Sequence, residues 1–238
     1  MITTKEGGLH MDNMKRAVII TSYVEYPLDI LSLIRPDDHI VCLDGGYDIA
    51  RMHGVNPNVL IGDFDSIDPE TAAMLEDDTD LVQILRYPPE KDQTDLELAL
   101  MHLDPEKFSK LLIIGGIGGR LDQTAVNLQL LAKYTAGAVD NGQGGFRFVE
   151  MLDGRNRCFA LSDSGSDCLS IPAHPDASLS LVPMSKSCEG VTLTGVKYPL
   201  EKATLLRGSS LGVSNEITAD AATLSLMKGT LLVICSIL

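Results

Sequence analysis

Positive charge is scarce in this 238-residue chain. Its 19 Lys and Arg stand against 33 Asp and Glu, giving a net charge of −14 and a pI of about 4.6. An acidic surface favours neither nucleic acid nor an anionic membrane, so both are excluded as partners. There is no C-x-x-C pair. The five cysteines (Cys42, Cys158, Cys168, Cys188 and Cys235) are scattered and odd in number. That argues against zinc or disulfides and for buried, reduced thiols in a cytoplasmic protein. No apolar run reads as a membrane span, because the longest, near the C-terminus, contains Lys228. No stretch reads as a signal peptide, and no internal repeat is found. What is present is a 45% hydrophobic chain, able to fill a core and long enough for two domains.

Residues 1–13 are polar and aperiodic and are expected to form a loose tail. The first half then alternates apolar runs ("AVII", "HIVCLDGG", "NVLIGDFDS", "LVQIL", "KLLIIGG") with helix-like segments ("YDIARMHG", "PETAAMLED", "DLELALMHL", "LDQTAVNLQLLAKY"). The runs do not alternate apolar with polar, as expected of parallel strands buried on both faces. The repetition predicts a doubly wound α/β domain over 14–140. Asp68-Pro69 reads as an N-cap and first helical residue. Thr94 to Glu97 reads as a capping box, followed by Leu96, Ala99, Leu100 and Leu103 on one face.

The second half is richer in short β-like runs with turn residues between them. It begins with a hairpin around Asp153-Gly154-Arg155-Asn156. This predicts a small β-sandwich over 145–238. "GAVDNGQGG" breaks the periodicity and places the boundary between Ala136 and Gly145.

The polar residues of the first half cluster just past predicted strands. Asp44 follows "HIVCL"; Asp63 and Asp65 follow "NVLIG". Lys91, Asp92 and Asp95 follow "LVQIL", and "GGIGGR", Gly115 to Arg120, follows "KLLII". In an open parallel sheet this edge binds ligands. Each loop alone has a plainer reading. Asp44-Gly45-Gly46 can be a turn, and Asp63 and Asp65 can cap a helix. Thr94 and Asp95 fit a cap and a helix dipole, and Arg120 fits a surface ion pair. "GGIGGR" lacks the G-K-[ST] ending of a P-loop. Together the loops point to a ligand. Two carboxylates about 4 Å apart repel by roughly 4 kcal/mol at an effective dielectric of 20. Mg²⁺ takes one or two carboxylates plus substrate phosphates. Glycine N–H groups, Lys91 and Arg120 suit a polyphosphate.

These motifs resemble the thiamine pyrophosphokinase family. The resemblance is carried by "DGG" at Asp44, "GDFDSI" at Gly62 and "KDQTDLELAL" at Lys91. "GGRLDQTAVN" at Gly118 and "GVKYPL…GSSLGVSN" from Gly195 to Asn215 complete it. It runs in order from about Lys15 to the C-terminus. It implies a two-domain homodimer that transfers pyrophosphate from ATP to the hydroxyethyl group of thiamine, releasing AMP. It also implies that thiamine lies between the catalytic domain of one subunit and the β-sandwich of the other. By resemblance Asp63, Asp65 and Asp95 bind Mg²⁺ and act in catalysis, with Asp44 and Asp92 assisting. Lys91, Thr94, Gly118, Gly119, Arg120, Asp122, Gln123 and Asn127 form the nucleotide side. Gln123 and Asn127 share a helix face. Many members carry His where this chain has Gln123. Tyr198, Ser214 and Asn215 match the thiamine side. Tyr198, where some members have Trp, offers an aromatic face to the cationic thiazolium; on its residues alone it reads as core, and Ser214-Asn215 as a turn.

Two rival functions stay open on sequence. Asp-x-Asp after a strand also marks haloacid-dehalogenase-type phosphatases, where Asp63 would be a nucleophile. Against this, Ile67 stands where Thr or Val is usual. The same pocket could also serve a nucleotide or thiamine sensor without turnover.

Overall fold

The computed structural model describes residues 3–5, 15–64, 82–135, 144–163 and 168–237. The chain divides into two compact units. One comprises 14–127 and 151–154; the other comprises 1–13, 128–150 and 155–238.

The first unit is built on parallel strands: β2 (Arg16–Ile20), β3 (His39–Leu43), β4 (Val59–Gly62), β5 (Gln83–Arg86) and β6 (Lys110–Ile114). Their order in the sheet is β6-β2-β3-β4-β5, in parallel register throughout. Strand order therefore runs outward from β2 to β5 and then reverses to the other side of β2. The predicted burial on both faces is observed on β2, β3, β4 and β6, whereas the edge strand β5 buries none of its four residues. Val18, Ile20, Ile40, Cys42, Leu60, Leu112 and Ile114 join one core cluster with Ile30 and Ala50. Their alternates Ala17, Ile19, Val41, Ile61, Leu111 and Ile113 are buried as well.

Helices join the strands: α1 (Ile30–Leu33), α2 (Gly46–Met52), α3 (Asp95–His102) and α4 (Leu121–Tyr134). The short α1 has no counterpart among the expected elements. Helix α3 starts as its sequence directs, the Thr94 hydroxyl accepting from Glu97 N–H at 3.3 Å. It buries Leu96, Ala99 and Leu100, with Leu103 buried just beyond its end. The Asp68-Pro69 cap and the "PETAAMLED" helix lie outside the described residues.

The second unit holds antiparallel strands in two sets. One runs β1 (Thr3–Lys5), β9 (Cys168–Pro172), β14 (Ala221–Ser225), β11 (Ser187–Thr194), β12 (Leu200–Leu206). The other runs β13 (Asn215–Glu216), β10 (Ala177–Pro183), β15 (Thr230–Ile237), β8 (Asn156–Ser162), β7 (Phe148–Leu152). Every second residue of these strands feeds one core: Phe159 and Leu161, Leu169 and Ile171, Leu179 and Leu181, Leu231 and Val233. Thr3–Lys5, in the segment read as a loose tail, pairs with β9.

None of the five cysteines is in a disulfide, and Cys42, Cys158 and Cys188 are buried. Burial pushes the Cys42 thiol up to about 12. Among the described residues no helix is long and apolar enough to cross a membrane.

Candidate active site

The polar residues past the strands of the parallel sheet line one cavity of about 680 Å³. Asp44 leaves β3 with φ 41°. Its N–H donates to Ile61 O at 3.0 Å, and its Oδ1 accepts from Phe64 N–H at 3.2 Å. The carboxylate lies directly over Gly62, where an added Cβ would come within 1.6 Å of Asp44 Oδ1. Glycine is thus required for the close approach of the two loops. Phe64 is further held by the Arg86 guanidinium, 4.9 Å from its ring centre. Asp63 also lines the cavity. From the loop after β5, Lys91 Nζ reaches Asp95 Oδ1, four residues on at the start of α3, at 2.9 Å.

Charge is unbalanced here. Burial pushes Asp44 up to about 6, opposed by the Phe64 N–H and reinforced by the nearby Asp95 and Asp63 carboxylates. Burial pulls the Lys91 ammonium down, but contact with Asp95 and the charges of Asp63 and Asp44 outweigh it, and its pKa ends above the ordinary value. Apart from the Lys91 ammonium, the buried Asp95 Oδ1 meets no hydrogen-bond donor among the described residues.

A buried carboxylate oxygen near two more carboxylates is the donor chemistry Mg²⁺ prefers. Among the described residues no three His, Cys, Asp or Glu are grouped to enclose a metal ion. Asp65 lies outside them. A complete protein cage is not needed where substrate phosphates supply ligands. The residues present fit such a cation.

The loop from β6 to α4 also lines the cavity. Gly118 and Gly119 take φ 89° and 58°. A Cβ would meet Glu25 at the first and come within 2.8 Å of the Tyr23 ring at the second. Thr124 Oγ1 donates to Gly118 O at 2.9 Å, and Asn127 Nδ2 donates to Gly116 O at 2.8 Å. Gln123 and Asn127 both line the cavity, as their shared face implied. Arg120 lines it too, and pairs with Asp122 at 2.6 Å. The ion pair lowers the Asp122 carboxyl and raises the Arg120 guanidinium. Thr94 lines the cavity while capping α3. Asp92 and Asp122 are exposed and are not part of the lining.

One loop of the site is missing from the sequence reading. Thr21, Ser22 and Tyr23 line the cavity, and Glu25 accepts from Gly119 N–H at 2.9 Å. They follow β2, the strand at which the order reverses. The rule that locates the other loops applies equally here. "TSYVE" carries no metal-like pair or glycine run to mark it.

In the antiparallel unit Tyr198 is 62% exposed, which sets aside its reading as core. Asn215 is buried, and its side chain is committed to Tyr198. Its Oδ1 accepts from Tyr198 N–H at 3.0 Å and its Nδ2 donates to Tyr198 O at 2.8 Å. Ser214 has φ 59° and its N–H donates to Ser180 Oγ at 3.0 Å.

Residues 30–140 match the family model of the thiamin pyrophosphokinase catalytic domain. Residues 169–231 match that of the thiamin pyrophosphokinase vitamin B1 binding domain. The chain is 33% identical over 186 residues to a thiamine pyrophosphokinase of Bacillus subtilis (strain 168), across 77% of this chain and 80% of that one. It is 27% identical over 171 residues to a thiamin pyrophosphokinase of Caenorhabditis elegans, across 69% and 64%. It superposes on the crystal structure of the Bacillus subtilis enzyme with TM-score 0.78 at 27% identity, covering 93% of this chain and 99% of that one. The thiamin pyrophosphokinase of Geobacillus thermodenitrificans gives TM-score 0.76 at 28% identity, covering 94% and 97%. With both domain models matched in order and a third of the aligned residues identical to a relative covered over most of its length, this chain belongs to the thiamin pyrophosphokinase family of enzymes.

Proposed function

We propose that this enzyme transfers pyrophosphate from ATP to the hydroxyl of thiamine, forming thiamine diphosphate and AMP. The observation that carries the reading is the cavity itself. It is lined both by Asp44, Asp63 and Asp95 and by a glycine loop with Arg120. Such an arrangement suits a polyphosphate held between a cation and fixed N–H groups. The comparisons do not favour a phosphatase.

In this reading Asp63, Asp65 and Asp95 would hold Mg²⁺, with Asp44 assisting from the lining and Asp92 from outside it. Bound there, the ion would neutralise charge on the transferred phosphates. Lys91 and Arg120 add positive charge, the latter once drawn from Asp122. The glycine loop orients the chain of phosphates, buttressed by Thr124 and Asn127 from α4. One aspartate takes the proton of the attacking alcohol. In-line displacement of AMP needs positioning and charge neutralisation more than covalent help.

The remaining assignments complete the proposal. The parallel sheet of 14–140 is read as doubly wound, supported by the reversal of strand order between β2 and β6 together with the general rule that crossovers are right-handed, which puts helices on opposite faces. Residues 145–238 form a β-sandwich around their common core. Tyr198 stacks on thiamine, with Ser214 beside it and Asn215 acting through Tyr198. The enzyme is a cytoplasmic homodimer with thiamine between subunits. Sedimentation at assay concentration tests the dimer; a fully active monomer rules it out.

The function is tested by incubating the protein with ATP, Mg²⁺ and thiamine and measuring AMP and thiamine diphosphate together. Equal amounts of both are expected. Free phosphate without thiamine diphosphate would favour the phosphatase, and binding without turnover the sensor.

A further inference from the structure

Glu25 sits where the glycine loop is expected to meet phosphate. Its Oε2 accepts the Gly119 N–H at 2.9 Å and also accepts the Tyr23 hydroxyl. The Tyr23 ring packs on Gly119 so closely that a Cβ there would come within 2.8 Å of it. Tyr23 therefore holds the carboxylate by its hydroxyl and the loop by its ring. The hydrogen bond to Glu25 raises the Tyr23 phenol above its ordinary value, as an ionised neighbour should. Gly119 and Tyr23 line the 680 Å³ cavity; Tyr23 and Glu25 also line an adjoining one of about 390 Å³. Glu25 is exposed and makes no ion pair with a lysine or arginine among the described residues.

We propose that Glu25 is an internal stand-in for a phosphate oxygen, occupying the Gly119 N–H in the nucleotide-free enzyme and setting nucleotide affinity by having to leave. This deepens the proposed function and rests on its reading of the glycine loop as the phosphate site. A backbone N–H at a loop entering a helix is an anion donor. One donor cannot serve a carboxylate and a phosphate at full strength, and two anions at that distance repel. The carboxylate keeps the donor satisfied when ATP is absent, at a cost in affinity when ATP arrives. Tyr23 is the latch, because its hydroxyl anchors the carboxylate beside the loop.

The test measures equilibrium binding of ATP, AMP and adenosine to the full chain and to Glu25→Gln, Glu25→Ala and Tyr23→Phe. Replacing a charged acceptor by a neutral or absent one should tighten ATP by about 3- to 10-fold. The Ala variant should gain at least as much as Gln, since Gln can still accept from Gly119 N–H. Tyr23→Phe keeps the ring and removes the anchor, so it should tighten ATP less. AMP should follow ATP, and adenosine, which brings no anion, should bind all four proteins equally. If Glu25 instead braces the loop, Glu25→Ala weakens ATP, Glu25→Gln stays near wild type, and the proposal is overturned. Equal effects on adenosine and ATP overturn it too. If the wild-type chain fails to bind ATP, the underlying reading of the site fails and the proposal falls with it. ATP binding that Glu25 variants leave unchanged overturns this inference alone.

Discussion

Asn215 closes both backbone hydrogen-bonding groups of Tyr198 with one side-chain amide, at 3.0 Å to the N–H and 2.8 Å to the carbonyl. The same Oδ1 accepts from Glu216 N–H at 2.9 Å. A buried amide thus holds the backbone of an exposed aromatic residue 17 positions away. Asn215→Ala leaves partly buried groups unpaired and should cost about 1–3 kcal/mol of stability. It should also raise KM for thiamine while KM for ATP holds. Thermal melts beside both KM values check this; an unaltered melt and unaltered KM would contradict the clamp.

Tyr198→Ala should raise KM for thiamine by about 2- to 30-fold, the loss of a stacking or cation–π contact of about 0.5–2 kcal/mol. Because the side chain is 62% exposed, the melting temperature should change little. Tyr198→Phe keeps the ring and should be milder. A destabilised Ala variant with unchanged thiamine KM would rule out stacking.

Asp44 binds its proton more tightly in the folded chain, at about 6 against an ordinary 3.8. Its contribution to stability is therefore present below pH 4 and lost as pH rises through 6. An asparagine in its place cannot ionise, yet the amide oxygen can still accept from Phe64 N–H. In metal-free protein, Asp44→Asn should raise the melting temperature at pH 7.5 and change it much less at pH 4. A gain that is the same at both values would contradict the stated cause.

Asp95→Asn should leave the folded chain intact and lower Mg²⁺-dependent turnover by about 100-fold or more, the scale of losing a charged group at a transferring phosphate. Thr94 still caps the helix, so circular dichroism should match wild type. Near-normal turnover in the folded variant would remove Asp95 from the site.

The legible parts of this molecule are those where a local pattern carries the physics. The unbroken apolar runs "AVII" and "KLLII" coincide with strands β2 and β6 because a strand buried on both faces needs no polar alternation. "LDQTAVNLQLLAKY" coincides with α4 because its apolar spacing is helical. Strand β1 at Thr3–Lys5 is not legible, since its partner is β9, Cys168–Pro172, far from it in sequence. The two-residue β13 is too short to show a period. At the site, Asp44, Lys91 and Asp95 stand out because carboxylates and ammonium groups past strands are chemically conspicuous. Tyr23 and Glu25 do not, since their role depends on a contact between Glu25 and Gly119 across 94 positions. Tyr198 shows its residue type in the sequence and its exposure only in the structure.

The central claim concerns which bond of ATP breaks, and phosphorus labels read it directly. The enzyme is given thiamine, Mg²⁺ and ATP labelled separately at the α, β and γ phosphorus. If pyrophosphate is transferred, the α label appears only in AMP and the β and γ labels appear together in thiamine diphosphate. A γ label in thiamine monophosphate or free phosphate, with the α and β labels together in ADP, would contradict the account.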